Sequence, residues 1–388
     1  MADAVSSVVD SVRNTYSDAA RQRQENLCCP VVYDPKYLKV IPKEVLERDY
    51  GCGDPSQFLR NGDTVLDLGS GGGKICFIAA QVVGPAGRVI GVDMTDDMLE
   101  LARRSKTVVA QEIGYDNVDF RKGMIQDLRL DLADTETFLA AHPIATLTDL
   151  HRFEAHQQRQ RHQRPLVADE SVDVIVSNCV LNLVAPTEKA RMFTEMFRVL
   201  RTSGRVAISD IVSDEDVPAD LRGDPDLWSG CVSGALREDE FLEAFERAGF
   251  FGIRVAKRDS TPWRTVRGIE FRSVTVTAHK GKQGPCLEKN QAVIYAGPWK
   301  QVVDDDGHIL LRGKRMAVCD KTFRIMTSPQ GPYAQDICGI EPVTEVPADQ
   351  IKPFACKGIS LRDVRQTKGH DYTASTQAVA SCTTDGCC

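Results

Sequence analysis

The sequence predicts a doubly wound α/β protein with a mostly parallel sheet, followed by a small C-terminal α+β domain. Three observations predict it. Apolar runs of strand length alternate with amphipathic runs of helix length between about residues 63 and 280. A glycine-rich turn, "LGSGGG" at 68–73, joins the first apolar run to a helix. Beyond about residue 282 the alternation gives way to short apolar runs punctuated by Pro and Gly.

The elements follow in order. "DTVLDLGSGGGKICFIAAQVV", 63–83, reads as strand, glycine turn and helix. Val65, Leu66 and Leu68 suit a parallel strand buried on both faces. Gly69, Gly71, Gly72 and Gly73 allow a sharp turn and close approach of a ligand to the backbone. "GRVIGVDMTDDMLELARR" gives a second strand ending in an acid, Asp93, and a second helix. "NVDFRKGMIQDL" and "SVDVIVSNCVLNLV" supply two more strands. "TEKARMFTEMFRVLRTSG" is an amphipathic helix that turns Met192, Phe193, Met196, Phe197 and Leu200 inward, with Gly204 just past its end. "RVAISDIV", the helix "REDEFLEAFERAGF" and the late strands "GIRVAKRD" and "FRSVTVTAHK" complete the pattern.

Domain organisation follows from where the alternation stops. Residues 1–60 form an N-terminal helical segment carrying Cys28, Cys29 and Cys52. Its first stretch is amphipathic, with Val5, Val8, Val9 and Val12 on one face. It lacks the charged n-region and continuous apolar core of a signal peptide. Residues 61–281 form the main α/β domain, interrupted at 132–168 by a polar helical insertion. That insertion holds His151, His156 and His162, read as solvated side chains rather than metal ligands. "GKQGPC" marks a linker into a small domain, 282–375, in which "QAVIYAG", "HILLRGKRMAVC" and "FRIMTS" read as short strands. Residues 376–388 form a flexible tail with Cys382, Cys387 and Cys388.

Composition narrows the function. The 388 residues carry 48 basic and 55 acidic side chains, a net charge of −7, and no basic stripe. Nucleic-acid binding is therefore disfavoured. No apolar run reaches the ~18 residues of a membrane span. A cytoplasmic protein is expected, with its 13 cysteines mostly reduced. The cysteines form no paired CxxC knuckles, so no structural metal ion is expected. Cys76, Cys319 and Cys338 read as small core residues.

"VLDLGSGGG" resembles the first motif of class I S-adenosylmethionine methyltransferases, a Rossmann-like fold. A dinucleotide fold would prefer G-x-G-x-x-G; here the glycines run G-S-G-G-G behind Asp67. The expected cofactor is S-adenosylmethionine. Asp67 would take its amino group, and Gly69 and Gly71 would let the methionine portion lie against the turn. Asp93, ending the second strand, would accept both ribose hydroxyls. Met94 offers a soft wall for adenine, with Ile125 and Gln126 at the adenine edge. Asn178 ends the fourth strand facing the donor.

Three thiols converge on that crevice. Cys179 follows Asn178 at the mouth of the sheet, in "SNCVLNL". Cys231 lies in the glycine-flanked loop "LWSGCVSGAL" after the next strand, and Cys52 lies between glycines in "RDYGCGDP". Loops at the carboxyl ends of neighbouring strands meet over one crevice. Three thiols aimed at a methyl donor suggest a soft acceptor atom.

Here the sequence resembles the arsenite S-adenosylmethionine methyltransferases. The resemblance rests on "YGCG", "VLDLGSGGG", "GVDMT", "SNCVLNL" and "SGCVSGAL" in that order, over about residues 25–280. It implies that Cys179 and Cys231 hold trivalent arsenic and that Cys52 adds a third thiolate. It implies that Cys52 also pairs in a redox step with an N-terminal cysteine, Cys28 or Cys29, with Cys28 preferred. The spacing from "NLCCP" to Cys52 is shorter than the family's usual pattern, and the 132–168 insertion marks a divergent branch. Tyr50 matches the family tyrosine beside the donor.

Arsenic held by three sulfurs keeps a lone pair that can attack the sulfonium methyl without a general base. Each methylation oxidises arsenic, and a dithiol pair can return it to the trivalent state by closing a disulfide. The expected partners are thiol-bound arsenite and methylarsenite, and an external reductant of the glutathione or thioredoxin type. A monomer is the working expectation. Two other readings share parts of the pattern. A C- or O-methyltransferase of the quinone or sterol kind would have an apolar acceptor cavity with Cys52 and Cys231 away from the donor. A thiol-rich metalloid scavenger or sensor would need no donor site.

Overall fold

The structure is a computed structural model and describes residues 2–24, 31–369 and 372. Two compact units divide the chain, Met1–Gly281 and Lys282–Cys388.

The first unit is built on one sheet of nine strands. They are β1 (Thr64–Leu68), β2 (Arg88–Asp93), β3 (Val118–Lys122), β4 (Val172–Asn178), β5 (Leu200–Ser213), β6 (Leu236–Arg237), β7 (Phe251–Arg258), β8 (Arg264–Val266) and β9 (Ile269–His279). The order is β3-β2-β1-β4-β5-β9-β7, with β6 on β5 and β8 on β9. From β3 through β5 the strands are parallel. β9 runs antiparallel to both β5 and β7. This is the doubly wound, mostly parallel sheet that the alternating pattern predicts.

Side-chain alternation explains why the strands read as continuous apolar runs. Leu66 and Ile175 point into the layer that holds Met192, Phe193 and Met196. Val65 and Val174 point into the opposite layer with Ile75, Phe77 and Ala80. Helices cover both faces, so both sets are buried. Strand order reverses between β1 and β4, and ligand crevices of such sheets open at that switch point beyond the carboxyl ends.

One helix ends earlier than its sequence suggests. Pro186–Val199 is helical, and Leu200 already pairs with Val172 as the start of β5. The insertion is a pair of helices, Leu132–Ala141 and Leu147–Gln163. Arg161 of the second helix forms an ion pair with Asp127, which Arg191 also approaches at 2.7 Å. His156 stacks on Phe138 with ring centroids 4.0 Å apart and meets Asp134 at 3.0 Å. Among the described residues, His151, His156 and His162 join no group of metal-ligating side chains. The N-terminal helix, Ala2–Arg21, packs against the helix Asp96–Ile113, with Arg21 3.1 Å from Asp97. Among the described residues, no helix is long and apolar enough to cross a membrane.

The second unit holds short strands. β10 (Leu287–Glu288) pairs with β16 (Lys352–Pro353). β11 (Ala292–Tyr295) lies between β14 (Arg315–Ala317) and β15 (Ile337–Ile340), and β12 (Gln301–Val303) forms a hairpin with β13 (Ile309–Leu311). Its core is Val293, Tyr295, Leu310, Met316, Val318, Phe323 and Met326. Two expectations are corrected here. "FRIMTS" is not a strand but belongs to the helix Asp320–Thr327. Phe323 and Met326, three residues apart, share its buried face, and Cys319 caps its first turn. Cys338 is exposed on β15 rather than in the core.

Candidate active site

A cavity of about 1080 Å³, counting its open mouth, lies beyond the ends of β1, β2 and β4. The glycine turn forms its floor. Gly69 and Ser70 donate their N–H groups to Val92 O at 2.8 and 3.0 Å, and Gly71 donates to Asp93 Oδ2 at 2.9 Å. Gly69 has φ +70°, and a Cβ there would meet Val180 Cγ1 at 2.4 Å. The missing side chain thus brings the glycine turn against the residue that follows Cys179.

Of the residues the sequence assigns to the donor, Tyr50, Asp67, Gly69, Gly71, Asp93, Met94, Ile125, Gln126 and Asn178 all line this cavity. Their environments differ. Asp67 is buried, and burial pushes its carboxyl up to about 7, against a hydrogen bond from the Cys76 thiol at 3.2 Å. Burial also raises Asp93, opposed by the N–H groups of Thr95 and Gly71. Tyr50 donates its hydroxyl to Ala19 O at 3.0 Å, which braces the N-terminal helix over the site. The side chain of Asn178 is turned to structural work. Its Oδ1 accepts from the N–H groups of Cys52 and Gly53 at 2.8 and 3.0 Å, and its Nδ2 donates to Gly53 O at 2.8 Å.

That clamp explains the glycines around Cys52. A Cβ on Gly51 would lie 2.0 Å from Asn178 Nδ2, and one on Gly53 would lie 2.4 Å from Ser209 Oγ. Ser273 also fastens the loop through a 2.7 Å hydrogen bond to Cys52 O.

Cys179 and Cys231 both occupy left-handed backbone, at φ +65° and +60°. Such a conformation costs about 1–3 kcal/mol per residue and persists only where the surroundings impose it. Backbone hydrogen bonds hold both turns, from Cys179 N–H to Ser209 O at 2.8 Å and from Cys231 N–H to Trp228 O at 3.0 Å. Their sulfurs and a carboxylate oxygen of Asp210 all lie within 4.8 Å of one another. Cys52 packs in the same buried cluster without entering that close set. Cys179 lines the donor cavity, whereas Cys52 and Cys231 are not among its lining residues. Cys28 and Cys29 lie outside the described residues.

Four residues that sequence reasoning left without a role shape the site. Asp210 accepts from Leu181 N–H at 2.8 Å, Ile211 N–H at 2.8 Å and Asn182 Nδ2 at 2.9 Å. Burial raises its carboxyl to about 6 despite those donors and Lys189. Asn182 also donates to Cys231 O at 3.3 Å. Lys189, buried and held near 8 by desolvation, donates to Gly234 O at 2.7 Å and Leu181 O at 3.2 Å. Tyr16 hangs from the N-terminal helix into the cavity. Burial first, then the neighbouring Cys231 and Cys179, push its hydroxyl well up. "SDIV" and "LNL" contain Asp210 and Asn182, but no spacing rule singles them out.

A glycine turn, two strand-end acids and a cavity at the switch point define a class I S-adenosylmethionine-dependent methyltransferase. A methyltransferase-domain family matches residues 59–142 and 139–249, and a domain family of unknown function matches 282–372. An arsenite methyltransferase of Aquipseudomonas alcaligenes is 32% identical over 82% of this chain and 87% of its own. The arsenite methyltransferase of Homo sapiens is 28% identical over 90% of this chain and 86% of its own. A crystal structure of an arsenic(III) S-adenosylmethionine methyltransferase from Chlamydomonas reinhardtii superposes with a TM-score of 0.55 at 26% identity, covering 84% of this chain and all of that one. The chain belongs to the arsenite methyltransferase family and is an S-adenosylmethionine-dependent enzyme.

Two tests address the donor side. Asp93→Ala should raise the donor Kd at least about tenfold, the loss of charge-assisted hydrogen bonds worth about 1.5–3 kcal/mol. Arsenite binding should persist; calorimetry with each ligand separates the two. The second test concerns pH. With its carboxyl raised to about 7, Asp67 is largely neutral below that pH and charged above it. Donor affinity measured without arsenic should therefore weaken as pH falls through 7, and Asp67→Asn should flatten that dependence.

Proposed function

We propose that Cys179 and Cys231 hold trivalent arsenic as thiolates beside the donor cavity, with Cys52 as the third sulfur for arsenite. The observation that carries this reading is one contact set. Cys179 lines the donor cavity, and its sulfur lies within 4.8 Å of the Cys231 sulfur. Soft thiolates, not the hard Asp210 carboxylate beside them, suit arsenic.

The donor fits the residues present. Asp67 is a buried carboxyl that a cationic amino group would return to its charged form, and Asp93 stands at the end of β2 on the cavity wall. Bound S-adenosylmethionine supplies an electrophilic methyl group. Asp67 and Asp93 bind and orient it, while Met94, Ile125 and Gln126 flank its base. The N-terminal helix, through Val12 and Tyr16, forms part of the cavity wall and limits the access of water. Fixed geometry of this kind can be worth about 7–11 kcal/mol of the barrier. Arsenic attacks with a lone pair and carries no proton, so no side chain need act as general base.

Methylation leaves arsenic two electrons poorer. Cys52 and Cys28 or Cys29 supply them by closing a disulfide, and a thiol reductant of the glutathione or thioredoxin type reopens it. A reaction that uses cysteines as thiolates suits a reducing, cytosolic compartment. A quinone- or sterol-type acceptor is disfavoured because the Cys231 sulfur lies within 4.8 Å of that of Cys179, a lining residue of the donor cavity. A pure scavenger would have no use for the donor cavity.

Arsenic speciation by mass spectrometry under one reductant tests this. Cys179→Ser or Cys231→Ser should abolish methylation of both arsenite and methylarsenite. Full activity of Cys179→Ser on either substrate would refute the site. Cys52→Ser should lose arsenite methylation but keep part of the activity on methylarsenite, which already fills one arsenic position with carbon. Replacing Cys28 and Cys29 together should act likewise. Deleting residues 376–388 should leave the rate at saturating arsenite unchanged; a lost rate would place that tail in the active site.

A further inference from the structure

The second unit gathers three more thiols. The sulfurs of Cys286, Cys319 and Cys356 all lie within 4.8 Å of one another. They come from separate pieces of chain. Cys286 precedes β10, and Cys356 follows β16, its ladder partner. The hydrogen bond from Phe354 N–H to Cys286 O at 2.9 Å holds those two ends together. Cys319 caps the helix Asp320–Thr327.

A thiolate is favoured at Cys319, while burial first, then Cys286 and Cys319, push the Cys356 thiol up. Cys319 Sγ accepts from Thr322 N–H at 3.3 Å and lies 3.2 Å from Thr322 Oγ1. Desolvation raises the Cys319 thiol, but the hydrogen bonds from Thr322, Cys356 and Cys286 outweigh it and bring the group down. A helix N-terminus adds a favourable dipole. Cys319 is fully buried, while Cys286 and Cys356 are partly exposed, so the set has a closed base and an open side.

We infer that Cys286, Cys319 and Cys356 form a second site for trivalent arsenic, one that captures the metalloid without methylating it. The ligand count decides between soft ions. Structural zinc takes four protein ligands, and among the described residues no His, Asp, Glu or fourth Cys joins these three. Trivalent arsenic makes three bonds and keeps a lone pair where a fourth ligand would be. Bonds of about 2.3 Å, the length zinc makes to thiolate, are within reach of sulfurs already this close, by side-chain rotation. Loading is a ligand exchange without redox change. Three As–O bonds of arsenous acid break, three As–S bonds form, and the three thiol protons leave with the hydroxyls as water. Capture of this kind needs no methyl donor, and none of the three cysteines is a lining residue of the donor cavity.

The test compares the full chain with a variant carrying Cys286→Ser, Cys319→Ser and Cys356→Ser. Both are loaded with excess arsenite in the absence of donor and small thiols, desalted, and measured for arsenic and zinc by plasma mass spectrometry. The variant should hold one arsenic fewer per chain and keep its methylation rate at saturating arsenite, which also shows that it is folded. A second background guards against a folding defect. A chain with Cys28, Cys29, Cys52, Cys179, Cys231, Cys382, Cys387 and Cys388 all changed to Ser should still retain one arsenic, and X-ray absorption should give it three sulfur neighbours. Equal arsenic in the full chain and the triple variant would overturn the proposal. So would no retained arsenic in the second background, or one zinc per chain that arsenite does not displace.

Discussion

The hydrogen bonds of Asp210 hold the catalytic end of this enzyme together. A carboxylate buried in β5 must find donors, because an unpaired one costs several kcal/mol. Asp210 finds Leu181 N–H, Ile211 N–H and the Asn182 amide. Asn182 in turn reaches Cys231 O, and Lys189 joins Leu181 O to Gly234 O. The loop after β4 and the loop that carries Cys231 are therefore fixed to one another before any substrate arrives. Gly234 permits the contact, since a Cβ there would lie 1.9 Å from Asn182 O.

Asn178 does for Cys52 what Asp210 does for the other two thiols. Its amide satisfies backbone groups of a loop that comes from the far side of the sheet in sequence. Gly69 completes the linkage by letting Val180 rest on the glycine turn. Donor floor and thiol loops are thus one packed object, so a change in either is felt by the other. The left-handed backbone at Cys179 and Cys231 is the strain this packing imposes, at residues where a thiol must stand at a set position.

The sheet was legible because buried parallel strands are written as apolar runs, and "VLDLGSGGG" announces both a strand and its turn. The strand-end residues of the donor cavity are legible for the same reason, whereas Tyr16, which reaches it from the N-terminal helix, is not. Side chains acting across the fold were harder to read. Asn178 sits at the predicted place, but its role as a clamp depends on a loop some 125 residues earlier. Asp210, Asn182 and Lys189 are ordinary polar residues whose meaning comes only from burial. "FRIMTS" was misread because its apolar residues fit period two as well as a helix until the Cys319 cap is seen. The thiol cluster of the second unit escaped notice because no two of its cysteines are near in sequence, so no CxxC spacing exists to find.

The central claim is that arsenic binds at Cys179 and Cys231, at the edge of the donor cavity. Anomalous X-ray scattering at the arsenic absorption edge, from crystals soaked with arsenite under reducing conditions, tests it without mutation. The account predicts a peak in the first unit within bonding distance of both sulfurs, beside the donor cavity that Cys179 lines. A first unit whose arsenic lies away from either sulfur would contradict it.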